Sequence, residues 1–314
     1  MSGFYILKLW AFLLAATKVA SNTEVCDSGL KRSPTIKTGR FKEHKGTYLN
    51  VPAFSTSLVK KKTVCQVKCL KEKSCVAINV ASSANPEGEF WCELLSDDKY
   101  NSSVKFGANS TADHYSIYSP CQSNPCLHGS RCLATYTDDK YTCNCSLGYK
   151  GKHCGMVCYQ ALGVQDRSII PDARMTASSY YTDGYEPRNG RLNNVFVNYT
   201  VNRGMWTAKH KVVGEYLQVD VGRLVGVTKV ATQGRPSTVY IQYVTSYKIG
   251  YSSDLINWII YREGGSEKVF PGNKDVSSPV YNHFTAPLPA RGVRFIAQTW
   301  NLDISMRVEL YGCG

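Results

Sequence analysis

Apolar side chains recur at every second position through much of residues 158–313. Leu217, Val219 and Val221 alternate with Gln218 and Asp220. The pattern returns in Tyr247, Ile249 and Tyr251, in Val293, Phe295 and Ala297, and in Met306, Val308 and Leu310. This period buries one face of each strand and leaves the other to solvent. Gly222, Gly234, Pro271-Gly272 and Pro287 to Pro289 punctuate the runs as turns. Many short strands without a long helical run predict an antiparallel sandwich or barrel.

Upstream the pattern changes. Val64, Cys65, Lys68, Cys69 and Leu70 fall at helical spacing, with Lys and Gln on the other side. Val76 to Val80 and Tyr115 to Tyr118 read as strands, and Phe41, Gly46 and Leu49 as an opening strand and turn. Residues 4–16 are apolar apart from Lys8, and Val19-Ala20-Ser21 offers small residues for cleavage, so residues 1–21 read as a signal peptide. The run Leu9 to Ala16 is shorter than the roughly 20 residues a membrane span needs. No later stretch is long and apolar enough to span, and no hydrophobic tail precedes Gly314. A secreted, extracellular protein is expected.

The thirteen cysteines sharpen this. Cys65, Cys69, Cys75 and Cys92 form one cluster, and Cys121, Cys126, Cys132, Cys143, Cys145 and Cys154 a denser second. Cys158 and Cys313 bracket a long segment with no other cysteine. This is the count of a disulfide framework in an oxidising compartment. A Cys158–Cys313 bridge closing so long a loop would contribute roughly 4 to 5 kcal/mol in the chain-entropy model. Cys26 is left over, which points to a disulfide-linked dimer or a free thiol. The spacing lacks paired Cys-x2-Cys, so no metal site is expected.

Charge changes the picture further. The net charge of +13 falls to +11 when Lys8 and Lys18 leave with the signal peptide, and residues 28–73 hold twelve Lys or Arg against Glu43 and Glu72. A cationic secreted chain meets sulfated glycans, anionic lipid headgroups or acidic matrix proteins, not nucleic acid. Lys60, Lys61 and Lys62 suit a polyanion. Sequons mark Asn101, Asn109, Asn144 and Asn198 as N-glycosylation sites. The six histidines are scattered, and no nucleophile elbow, His-Glu-x-x-His helix or phosphate-binding glycine loop occurs. Neither enzyme nor cofactor is expected.

Three resemblances follow. Cys65-x3-Cys69-x5-Cys75 with Cys92-Glu93-Leu94 makes residues 26–119 resemble a PAN/apple domain, which implies a helix across a small sheet and bridges Cys65–Cys92 and Cys69–Cys75. Six cysteines within 34 residues, ending Cys145-Ser-Leu-Gly148-Tyr149-Lys-Gly151-Lys-His-Cys154, make residues 120–155 resemble an EGF-like domain. That implies Cys121–Cys132, Cys126–Cys143 and Cys145–Cys154. Tyr118-Ser119-Pro120 lacks the acidic set of calcium-binding members, and Thr137-Asp138-Asp139-Lys140 lacks Arg-Gly-Asp, so the module reads as a spacer. Ser123, in Cys121-Gln-Ser123-Asn-Pro125-Cys126, fits the O-glucosylation consensus.

Residues 158–313 resemble the discoidin, or coagulation factor V/VIII type C, domain. The stretches Thr176-Ala177-Ser178-Ser179-Tyr180, Gly190-Arg191-Leu192-Asn193, Tyr216-Leu217-Gln218-Val219-Asp220-Val221-Gly222 and Glu309-Leu310-Tyr311-Gly312-Cys313 carry it. The resemblance implies a jelly-roll β-sandwich with ligand loops at one end, so the whole chain is expected to be mainly β and multi-domain. Phosphatidylserine-binding relatives carry apolar spikes. Here the first spike falls near Tyr180 to Tyr185 with tyrosines and an acid, and the loop Gly234 to Tyr240 carries Val239 and Tyr240. Neuropilin-like members hold an aspartate shortly after a Trp-Thr pair. Here Trp206-Thr207 is followed by Ala208-Lys209-His210-Lys211, so an anion is expected instead. The candidate ligand residues are Tyr181, Tyr185, Arg188, Arg191, Trp206, Lys209, His210, Lys211, Arg235, Val239 and Tyr240. The expected function is a non-enzymatic adhesion or matrix protein binding anionic glycans or glycoproteins, with the basic first module assisting. A phosphatidylserine-recognising bridging protein and a lectin for neutral sugars are the alternatives.

Overall fold

The computed structural model describes residues 41–136 and 140–314. The signal segment, Cys26, the cations from Lys31 to Arg40 and the hairpin tip Thr137 to Asp139 lie outside the described residues. The chain is mainly β and multi-domain.

The N-terminal module is a five-stranded antiparallel sheet crossed by one helix. Strands β1 (Phe41–His44), β3 (Ser55–Val59), β4 (Ala77–Ala81), β5 (Phe90–Leu95) and β7 (Ala112–Ile117) lie in the order β1-β7-β4-β5-β3. Strands β2 (Thr47–Leu49) and β6 (Phe106–Ala108) pair beside them. Helix α1 (Lys62–Lys71) buries only Cys65 and Cys69, while Val64 and Val67 remain exposed. Ten residues make a marginal helix in water. Bridges Cys65–Cys92 and Cys69–Cys75 fasten it to β5 and to the loop that follows.

The second module has almost no core. Its hairpin, β8 (Arg131–Thr135) and β9 (Lys140–Asn144), sets Cys132 opposite Cys143. Bridges Cys121–Cys132, Cys126–Cys143 and Cys145–Cys154 hold it. Short strands β10 (Tyr149–Lys150) and β11 (Met156–Val157) close it, and Tyr149 stacks on His128 at 3.9 Å.

The C-terminal module is a discoidin jelly roll. Its main sheet runs β13 (Trp206–Thr207), β21 (Ser305–Cys313), β14 (Tyr216–Gln233), β20 (Val280–Asn301), β15 (Tyr243–Ser252), β16 (Ile259–Ile260). Strand β12 (Met175–Ala177) joins β14, a small hairpin pairs β17 (Arg262–Glu263) with β18 (Ser266–Glu267), and β19 (Phe270–Pro271) joins β15. The long strand β14 pairs with β12 and one end of β20, slips register after Asp220, then pairs with β21 and the other end of β20. Such bulges bend a strand so that one sequence run serves both halves of a sandwich. Leu217, Val219, Tyr247, Ile249, Val293, Phe295, Met306, Val308 and Leu310 pack the core. Cys158–Cys313 ties its ends together.

Candidate functional site

One end of the sandwich is built from the loops around residues 180–185, 193–203, 235–242 and 301–304. Asparagines hold the second of these. Val197 N and Asn198 N both donate to the Asn202 carbonyl, and the Asn194 and Asn202 amides bond each other at 3.0 and 3.2 Å. The loop thus holds its own backbone, and although Phe196 packs edge-on against Tyr199 at 4.9 Å, its apolar side chains face solvent. Val197 is 63% and Tyr199 67% exposed, and Val195, Phe196 and Val201 are exposed beside them. In the third loop Ser237 Oγ accepts from Val239 N and Tyr240 N, which turns the 77%-exposed Val239 outward with Tyr240 and Ile241.

Two adjoining clefts lie between these loops. The larger, about 770 Å3, is lined by Val195, Phe196, Pro236 and Val239 among others. The smaller, about 350 Å3, is lined by Tyr181, Tyr185, Lys211 and Asp303. Tyr199, Arg203, Arg235 and Tyr240 border both. The Arg203 guanidinium lies over Tyr185 (4.7 Å) and Tyr199 (5.0 Å) and donates to Tyr185 Oη at 3.1 Å. Arg235 lies over Tyr240 (4.3 Å) and donates to Gln242 Oε1 at 2.7 Å. Neither forms an ion pair among the described residues, so both cations are available to an anionic group.

Arg307 fastens the three segments around the larger cleft. Buried beneath the larger cleft, it donates to the carbonyls of Gly234, Asn194 and Val276 at 2.7, 2.7 and 3.0 Å. Burial without a carboxylate partner lowers its pKa to about 10.

Of the residues expected from sequence, Tyr181, Tyr185, Lys211, Arg235, Val239 and Tyr240 come together here. Lys209 and His210 are exposed on the neighbouring loop and line neither cleft. Two expectations, Arg191 and Trp206, need correction. Arg191 is buried, paired with Asp172 and bonded to the Val164 and Arg188 carbonyls, so it braces the framework. Trp206 is wholly buried, its indole N–H donating to the Ser179 carbonyl. Arg188 is paired with Glu186 and lines neither cleft. The smaller cleft, where an anion is expected, also holds an acid. Asp303 pairs with Lys211 at 2.5 Å and accepts from Gln242, so the smaller cleft carries both signs.

The sequence reading missed the apolar loop 195–201, Arg203, Asp303 and Arg307. A clue was present in Val195-Phe196-Val197 and Val201, apolar residues with no strand partner around a sequon. In the first module, Lys60 pairs with Glu89 and Lys62 with Asp113, so among the described residues Lys61 is the lysine of this run without an ion pair. Ser123 and Asn144 are exposed, and Asn101, Asn109 and Asn198 are partly exposed. Among the described residues no cluster of His, Cys, Asp and Glu is placed to hold a metal, and no helix is long and apolar enough to cross a membrane.

Two family models match the second and third modules. The F5/8 type C domain family matches residues 174–310, and the EGF-like domain family matches residues 121–153. Lactadherin of Mus musculus is 41% identical over 162 residues, covering 50% of this chain and 34% of that protein. Neuropilin-2 of Homo sapiens is 38% identical over 159 residues, covering 50% of this chain and 16% of that protein. The solved structure of recombinant discoidin II of Dictyostelium discoideum aligns with a TM-score of 0.43 at 26% identity, over 49% of this chain and 59% of that one. The chain therefore carries an EGF-like and an F5/8 type C domain. The match spans only about a third of the length of the mouse lactadherin.

Proposed function

We propose that this is a secreted, non-enzymatic protein whose discoidin face docks on anionic membrane surfaces, phosphatidylserine-containing ones in particular. The observation that carries this reading is the set of exposed aliphatic side chains, Val195, Val197, Val201, Val239 and Ile241, around an arginine cleft. Sulfate groups offer aliphatic side chains no partner and a sugar ring only a small C–H face, whereas hydrocarbon receives them fully. Fully burying one valine contributes about 1.5 to 3 kcal/mol, and a cation near an anionic leaflet about 1 kcal/mol. Several tips entering together therefore outweigh the two arginines, which select charge. The N-terminal module, read as PAN/apple-like, and the EGF-like spacer would hold a second, weaker contact at a set distance.

A second reading, binding of anionic or sulfated glycans or of matrix and cell-surface glycoproteins, is favoured by one observation. Arg203 and Arg235 lie on tyrosine faces in an open cleft, a geometry that suits a charged sugar ring. Liposome co-sedimentation of the full chain freed of N-glycans, with and without phosphatidylserine and at two salt concentrations, tests the two together. Membrane docking predicts binding that resists salt and falls at least ten-fold in Val239→Asp. Capture on heparin-like arrays without liposome binding would favour the glycan reading, and competition by neutral sugar would favour a lectin.

A further inference from the structure

We propose that Asn198 is an N-glycosylation site whose occupancy decides whether the apolar face can enter a bilayer. This rests on the membrane reading above. Asn198 begins the Asn-Tyr-Thr sequon at the tip of the apolar loop. Its Oδ1 is committed to the turn, accepting from Thr200 N at 3.1 Å and Val201 N at 2.7 Å. Its Nδ2, the atom that carries an N-glycan, makes no hydrogen bond among the described residues, so modification leaves the turn intact. Asn101 differs, because its Nδ2 donates to Asp97 at 2.7 Å. The neighbours of Asn198 are the exposed Val197, Tyr199 and Val201. At about 3.3 Å per residue these lie within one sugar's reach of the attachment atom. A glycan there stands at the same depth as the tips, and driving its hydroxyls into hydrocarbon costs more than the valines return. The glycosylated form therefore stays off membranes, and the unmodified form docks.

The test uses the full chain secreted from glycosylating cells, with occupancy at Asn198 read by intact mass and peptide mapping. Thr200→Ala removes the sequon and the 3.4 Å Thr200 Oγ1 donor but keeps both backbone donors to Asn198 Oδ1, and Thr200→Ser keeps the sequon. Liposomes of phosphatidylcholine with phosphatidylserine are the probe. The expected result is an occupied wild type and Thr200→Ser, and at least a ten-fold gain in liposome affinity for Thr200→Ala. An unoccupied site in the secreted wild type overturns the proposal. So does equal binding by occupied wild type and Thr200→Ala, which leaves the membrane reading standing. Binding by neither form, with melting temperatures unchanged, overturns the membrane reading itself and this proposal with it.

Discussion

The Tyr136 phenol donates a 2.6 Å hydrogen bond to the Asp98 carboxylate across the seam between the N-terminal sheet and the EGF-like hairpin. Both residues are buried, among Val76, Ile117, Cys121, Cys132 and Ala134. Burial pushes the Asp98 carboxyl up, and the Tyr136 bond offsets part of that shift. Tyr136→Phe removes the donor to one carboxylate oxygen and leaves it unsatisfied. A loss of about 1 to 3 kcal/mol is expected, read as a lower midpoint in denaturant for the first two modules. An unchanged midpoint would show that water replaces the phenol.

Acid should loosen the first module. His44 and His114 sit with their ring centroids 5.8 Å apart, both against Phe106. Burial, with help from Lys99, lowers His44 to about 4 and His114 to about 3. Folded values below the ordinary 6.5 mean that the unfolded chain binds protons first. The stability these neutral rings allow is complete above pH 6.5 and is lost as pH falls towards 4. Melting temperature followed from pH 7.5 to 4 should drop across that window. His114→Phe should flatten the drop, though it also removes the bond to Asn79.

Arg307→Ala takes away the three carbonyl contacts that fasten the loops flanking the larger cleft. Charged hydrogen bonds contribute about 1.5 to 3 kcal/mol each, with non-additivity reducing the sum. A loss of about 3 kcal/mol in the C-terminal module is expected, together with faster proteolysis between residues 193 and 203. Protease resistance equal to wild type would show that the asparagines hold the loop alone.

The EGF-like module meets the sandwich through glycines. A Cβ at Gly226 would lie 2.2 Å from the Gly148 backbone nitrogen, and one at Gly148 2.3 Å from Pro287 Cβ. Gly148 also has a positive φ of 84° and donates its N–H to the Cys313 carbonyl. Neither side can yield cheaply, because backbone and a proline ring are in the way. Gly226→Ala should cost about 1 to 3 kcal/mol and change the small-angle scattering profile by moving the modules apart. An unaltered profile would mean that the strand absorbs the methyl.

The β-sandwich was legible because alternation is a local property. Each of Leu217, Val219 and Phe295 declares its buried face through its own neighbours. The cysteine clusters similarly announced three covalently bounded modules. Charge at the site was a different matter. Arg191 and Arg203 are both arginines next to glycine, with asparagine within two residues, yet one is buried against Asp172 and the other lies open over two tyrosines. Lys211 meets Asp303 from 92 positions away, which no local pattern encodes. The sequence by itself determined which strands form and where the chain is stapled, since hydropathy and thiol spacing act over a few residues. Only the tertiary structure decided which cations reach solvent and which apolar loop stands clear. Those depend on how the loops converge, a contact between segments that share no local sequence.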